Sequence, residues 1–271
     1  MLKRIITGLV LAAVCIPVLY YSDTVVFPIG IALFSLIGSI EMMRCIGMSK
    51  KYALTAPLYA ASLALPFLIR YSPENIKFAI YFLLIYILYL FSMAVFSHGK
   101  IKTGEISTLF FTGLYVNVGF ASLIILRDYE TVGKYIYLLA LLGAWMSDIF
   151  AYFCGMAFGK HKLIPDVSPK KTVEGSVGGI VFCALSYLIY GLVLNNHFAL
   201  EFNLVALTLF GIVISIVSQI GDLAASVIKR EYGVKDYGRI FPGHGGVIDR
   251  FDSILAVSIV LTVLFYSVKI V

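Results

Sequence analysis

Charge is scarce in this chain. Of its 271 residues only 13% are Asp, Glu, Lys or Arg, against 61% hydrophobic, and the mean hydropathy is +0.96. That leaves too little polar surface to cover an ordinary water-soluble domain. Cysteine is sparse as well: Cys15, Cys45, Cys154 and Cys183 lie scattered in apolar runs with no CxxC or Cys/His spacing. The spacing argues against a zinc site or a disulfide framework and leaves them as small buried hydrophobes. The chain also lacks a long linker, a low-complexity tract and an internal repeat, so no separate soluble domain is expected. A net charge of +6 with no soluble basic domain to carry it does not point to nucleic acid.

What is present is a succession of apolar runs of about 20 residues, the length a helix needs to cross the hydrocarbon core. The expectation is an all-α, polytopic integral membrane protein of about nine spans, at 5–21, 24–43, 52–69, 77–97, 106–126, 135–158, 177–194, 204–228 and 253–271. Lys3 and Arg4 before the first run also suit a signal peptide, but no small-residue cleavage site follows, so a retained helix is expected. With the N-terminus inside, sixteen of the 21 Lys and Arg fall on the inner side and five, Arg70, Lys77, Arg127, Lys134 and Lys269, on the outer. The positive-inside rule then turns the polar segments of the second half toward the cytoplasm. Residues 1–130 read as scaffold, lipid-access or dimerisation helices, and 131–271 as the region that carries chemistry. In the first half, Glu41 and Arg44, one turn apart, are expected to pair at the interface.

Polarity concentrates in three places. Asp222 lies late in the eighth span, and helical spacing puts Ser215, Ser218 or Gln219, Asp222, Ser226 and Lys229 or Arg230 on one stripe. A carboxylate is costly there, about 2.5–3.5 kcal/mol near the bilayer centre, so the stripe is expected to line a wet cavity. Asp249 and Asp252, three apart, point to one side of a helical turn, and with Asp222 they offer hard oxygen ligands suited to Mg²⁺. Gly243, Gly245 and Gly246 could let backbone N–H groups approach an anion, and His244 could donate to a phosphate. The loop Ser168-Pro-Lys170-Lys171-Thr172-Val-Glu174-Gly175 gathers cations and hydroxyls suited to phosphate oxygens. It lacks capping-box spacing, so helix capping explains it poorly. Asp148 shares a stripe with Tyr152, Gly155 and Gly159 and is expected to face the bundle interior.

The pattern Ser226-x-x-Lys229-Arg230, four residues, Lys235-Asp236, then His244-Gly245-Gly246-x-x-Asp249-Arg250-x-Asp252 resembles the signature of the phosphatidate cytidylyltransferases, or CDP-diacylglycerol synthases. The 168–175 loop looks like a second feature of that family. The resemblance implies that a phosphatidic acid oxygen attacks the α-phosphate of CTP, giving CDP-diacylglycerol and pyrophosphate in phospholipid biosynthesis. It implies Mg²⁺ on Asp222, Asp249 and Asp252, with a second cation allowed in the same site. Lys170, Lys171, Lys229 and Arg230 would hold phosphate oxygens and Asp148 would complete the polar wall. Ser168, Thr172, Glu174, Ser226, Lys235, Asp236, Gly245, Gly246 and Arg250 would bind substrate, beside His244. The setting expected is a bacterial inner membrane with the site facing the cytoplasm, the bilayer as partner, no nucleic acid, and a homodimer kept open. Two alternatives stand: a lipid-alcohol kinase, which would release a nucleoside diphosphate, and a transporter, which would need polar residues along a path across the bilayer.

Overall fold

The computed structural model describes residues 2–71, 76–198, 200–268 and 270; Lys269 and the side chains of Lys3 and Arg4, counted in the charge distribution above, lie outside the described residues. Nine helices form among them: α1 (Leu2–Tyr20), α2 (Val26–Cys45), α3 (Tyr52–Tyr71), α4 (Ile76–Phe96), α5 (Thr103–Arg127), α6 (Gly133–Phe158), α7 (Val173–Phe198), α8 (Leu204–Glu231) and α9 (Ile248–Ser267). Between α6 and α7 lie two short strands, β1 (Lys162–Ile164) and β2 (Ser168–Thr172). Seven of the helices, α2 to α8, are long and apolar enough to cross a membrane. Their outward residues are apolar too: Leu88 and Val95 on α4 are 69% and 71% exposed. Large apolar side chains facing outward along whole helices are what lipid, not water, solvates. The protein is an all-α polytopic membrane protein.

Helix limits differ from the sequence expectation where it matters most. The final helix begins at Ile248, so Asp249 and Asp252 lie inside its first turns, and α8 continues through Lys229 and Arg230. The chain divides into two compact units: Met1–Asp128 with Tyr232–Phe251, and Tyr129–Glu231 with Asp252–Val271.

In the first unit α2, α3 and α5 share a polar seam. Ser35 Oγ donates to Asn117 Oδ1 at 3.4 Å, and Asn117 Nδ2 donates to Ser39 Oγ at 3.2 Å and to the Gly113 carbonyl at 2.9 Å. Ser39 and Ser62 hydroxyls meet at 2.9 Å. All four side chains are buried. Inside a membrane such hydrogen bonds hold helices together where the hydrophobic effect cannot. Asn117→Ala is therefore expected to destabilise the chain by about 1–3 kcal/mol, since it removes several bonds and leaves buried hydroxyls short of a partner. Thermal unfolding in detergent checks this.

The two ends of this unit are distinguished by charge. At one, Arg70 Nη1 donates to the Ser22 carbonyl and Arg127 Nε to Ser22 Oγ, both at 2.9 Å, and Asp128 lies about 4 Å from both guanidinium groups. At the other, where α3 and α5 begin, Lys51 Nζ pairs with Glu105 Oε2 at 2.8 Å. The second unit is built on α6, α7 and α8. Tyr187 donates its hydroxyl to the Leu139 carbonyl at 2.7 Å. Its ring and Ile214 fill the space a side chain at Gly143 would take.

Candidate functional site

The polar stripe on α8 divides in two. Ser215, Ser218 and Gln219 are buried; Ser215 Oγ meets Ser147 Oγ of α6 at 2.8 Å, and Gln219 Nε2 donates to the Ser176 carbonyl of α7 at 3.2 Å. This part is a helix–helix seam rather than the cavity wall expected, because Ser215 and Gln219 find partners on neighbouring helices, while Ser218 Oγ is buried with no hydrogen-bond partner. One turn further, Asp222 turns to a cation instead: Lys171 Nζ lies 2.5 Å from Asp222 Oδ2, both side chains about a quarter exposed. Ser226 and Lys229 continue the stripe half-buried, and Arg230 is exposed.

Asp252 faces this stripe. It is 8% exposed, and its Oδ1 accepts the Ser253 N–H at 2.8 Å. The charges of Asp222, Lys229 and Asp148 all act on it. Gly221 lets α9 lie close against α8 here, since a side chain at Gly221 would meet Ala256 Cβ and the Asp252 carbonyl. Ser147 is the buried residue of its turn, whereas Asp148 and Tyr152 are exposed, which corrects the expectation of an inward Asp148 stripe. Gly155 and Gly159 do serve close approach: the side chain of Thr172 fills the space a Cβ at either would need.

The 160–175 segment, expected as a loop, is a β-hairpin in which Lys162 pairs with Thr172 and Ile164 with Ser168. Adjacent strand residues point to opposite faces, so Lys170 is exposed while Lys171 turns in to Asp222. Ser168 is half-buried at the strand start. Thr172 Oγ1 accepts the Gly175 N–H at 3.2 Å, three residues on. That is an N-cap for α7, so capping does explain part of this motif even without the capping box. Glu174 closes the hairpin base, accepting the Lys160 N–H at 3.1 Å and the His161 N–H at 3.2 Å, with His161 Nδ1 2.6 Å from Oε1. His161 was not singled out from the sequence; an isolated loop histidine gives no spacing signal.

In the first unit, residues 237–249 form a tight turn ahead of α9. Phe241 N–H donates to the Gly245 carbonyl at 2.9 Å, and His244 N–H to that of Phe241 at 2.8 Å. Gly243 and Gly245 have φ of +81° and +84°, a region open to glycine at no steric cost. Asp249 is buried, and its Oδ2 accepts the Tyr237 and Gly246 N–H groups at 2.8 and 2.9 Å. Its carboxylate thus shapes this segment, a role the sequence did not suggest. His244 Nδ1 is buried without a hydrogen-bond partner. Lys235, Asp236 and Arg250 are exposed. Glu41 is the missed residue of this region. It is 1% exposed and accepts the Ile248 N–H at 3.0 Å, while Arg44 is exposed, so the expected Glu41–Arg44 pair is replaced by a contact 207 residues along the chain.

Two carboxylates that act on each other in a largely buried setting, Asp222 and Asp252, repel in low dielectric. They are a donor set that suits a hard divalent cation. Among the described residues no three His, Cys, Asp or Glu side chains close into a cation cage. Mg²⁺ fits such a partial set, because it takes one or two carboxylates and completes its shell with water and phosphate oxygens.

Fold and site together define a polytopic helical membrane protein with a carboxylate–lysine cluster set among its helices. Residues 2–268 match the pattern of the Cytidylyltransferase family, and the chain belongs to it. It is similar to the phosphatidate cytidylyltransferase of Staphylococcus saprophyticus, 42% identical over 156 residues, which are 57% of this chain and 56% of that protein. The phosphatidate cytidylyltransferase of Staphylococcus epidermidis is 45% identical over 153 residues, 55% of each chain. That of Bacillus subtilis is 40% identical over 153 residues, 56% of this chain and 55% of the other. The chain therefore spans about half the length of the relatives it matches.

Proposed function

We propose that the protein transfers the cytidylyl group of CTP to phosphatidic acid, releasing pyrophosphate and forming CDP-diacylglycerol. The observation that carries this reading is the second-unit cluster, in which Lys171 and Lys229 accompany the facing carboxylates Asp222 and Asp252. In the reaction an oxygen of the phosphatidate phosphate bonds to the α-phosphorus of CTP. The bond from that phosphorus to the α,β-bridging oxygen breaks, and its electron pair leaves with pyrophosphate. The attacking phosphate is already ionised near neutral pH, so the chain need supply alignment and charge rather than a strong base.

Lys171 and Lys229 would hold non-bridging oxygens at the reacting phosphorus, and the exposed Lys170, Arg230 and Arg250 would meet the triphosphate as it arrives from water. Asp222 and Asp252, with Asp249 as a further carboxylate, would hold Mg²⁺, and a second cation could share the set. Bound there, Mg²⁺ would neutralise charge building on the phosphate oxygens. Lys171 would then leave Asp222 for the nucleotide, so the ion pair keeps the site neutral until substrate arrives. Ser168, Ser226, His244 and the Lys235-Asp236 pair would contact substrate, while Thr172 and Glu174 hold the hairpin that carries Lys170 and Lys171.

Purified protein given phosphatidic acid, CTP and Mg²⁺ should release pyrophosphate, and omitting any one of the three should stop it. Release of CDP with phosphorylation of a lipid alcohol would instead assign a kinase. The distribution of basic residues along the sequence supports a site at the inner face of a bacterial plasma membrane. Asp166, exposed at the hairpin tip, offers a reporter. Asp166→Cys in a background without the four native cysteines should react with an impermeant thiol reagent in inside-out vesicles only. Labelling from outside intact cells would invert the topology.

A further inference from the structure

We propose that Glu41, on a helix of the N-terminal half and outside the signature pattern, is a positioning residue that sets the conformation of segment 237–249. A carboxylate 1% exposed inside a membrane protein carries a large desolvation cost that something must offset. Here the offset is the start of α9. Glu41 Oε2 accepts the Ile248 N–H at 3.0 Å, and the Val247 N–H also bonds the carboxylate. Both are among the amide groups that a helix leaves unsatisfied at its N-terminus, where the helix dipole favours negative charge.

Asp249 takes the neighbouring set, Tyr237 N–H and Gly246 N–H. Two buried carboxylates, one near in sequence and one 207 residues away, thus hold four amides of a single turn. The glycines carry the same message. A side chain at Gly238 or at Gly246 would overlap the Glu41 carboxylate, and one at Gly245 would overlap that of Asp249. Glu41 Oε1 has no hydrogen-bond partner and sits against these two bare Cα atoms. Gly246, which the sequence offers as a cradle for a phosphate, is in the structure the receptacle for a carboxylate. Arg44, one turn further along α2, is exposed, and its charge acts on Glu41 from there.

The consequence for catalysis rests on the proposed function, but the ordering of the segment can be measured without substrate. In the full chain in detergent, without nucleotide, Glu41→Ala should speed amide exchange at Gly246, Val247 and Ile248 by about 10–100-fold, the loss expected for hydrogen bonds to a buried charge. Exchange in the 162–172 hairpin should not change. Glu41→Gln, which keeps an acceptor but loses the charge, should fall between. Cytidylyl transfer in Glu41→Ala should drop on the order of 10²-fold through kcat, with the KM for CTP changing much less, as expected of a group that never touches the nucleotide. A second pair carries the test if Glu41→Ala does not fold. Gly246→Ala alone should disorder the turn, and Glu41→Asp, one methylene shorter, should partly restore it, giving clear non-additivity. Unchanged exchange at residues 246–248 in Glu41→Ala, or strict additivity in the pair, overturns the proposal. Faster exchange with an unchanged rate would leave the clamp standing and instead remove segment 237–249 from the chemistry.

Discussion

Asp222→Asn and Asp252→Asn should each lower cytidylyl transfer by on the order of 10²–10³-fold while leaving expression and thermal unfolding in detergent close to the parent. The size follows from what these groups face. Asp252 is buried, and Asp222, Lys229 and Asp148 all act on it electrostatically, so its substitution removes one of the two carboxylates proposed to hold the cation. Stability should hold because each substitution also relieves repulsion between the two carboxylates, which in Asp222→Asn offsets the loss of the ion pair with Lys171. Raising Mg²⁺ should restore part of the loss if the carboxylates act through the cation. Asp148→Asn should cost less, since that side chain is exposed. Asp249→Asn should behave differently: its Oδ2 holds the Tyr237 and Gly246 amides, so its loss should also loosen the turn before α9. Full activity in Asp222→Asn or Asp252→Asn would remove that residue from the site.

Lys171→Ala should lose about 10²-fold in kcat/KM for CTP, and Lys170→Ala no more than about tenfold. The two are adjacent in sequence, but strand geometry sends them to opposite faces, and only Lys171 pairs with Asp222. Removing one partner of a part-buried ion pair leaves the other uncompensated, so Lys171→Ala should also lower thermal stability. Double substitution with Asp222→Asn should recover much of that stability without recovering the rate. Lys50→Ala, exposed outside the motifs, should change neither. Equal losses at Lys50, Lys170 and Lys171 would mean that surface charge in general, not this pair, attracts the nucleotide.

The membrane fold was legible because hydrophobic runs of span length leave few alternatives. The α8 stripe was legible because helical periodicity fixes which residues share a face, and an isolated Asp there demands a partner. What periodicity could not supply was the partner's identity. Ser215 and Gln219 found carbonyl and hydroxyl groups on α6 and α7, and only Asp222 found a lysine. The hairpin escaped notice because strands of three and five residues are too short to show alternation. Without it, Lys170 and Lys171 look equivalent.

Glu41 shows the other limit. The rule that an intramembrane carboxylate needs an explanation applies to it as it does to Asp148 and Asp222. A basic residue one turn away supplied a local answer in Arg44, whereas the actual donor, the Ile248 N–H, is a backbone group that no sequence pattern marks. The same holds for Gly238 and Gly246, whose lack of a side chain is explained by a carboxylate from a distant helix. Glycine pairs in loops have several uses, and the chain alone does not say which neighbour needs the room.

The central claim, that this cluster moves the α-phosphorus of CTP onto a lipid phosphate, is tested most directly by the fate of label. Purified protein in phosphatidate-containing detergent micelles with Mg²⁺ is given CTP labelled at the α-phosphate, and separately at the γ-phosphate. The account predicts that α-label enters the organic phase as a CDP-lipid, that γ-label stays in water as pyrophosphate, and that Asp252→Asn slows lipid labelling and pyrophosphate release together by on the order of 10²–10³-fold. Entry of γ-label into the lipid with CDP left in water, or lipid labelling at the parent rate in Asp252→Asn, would contradict it.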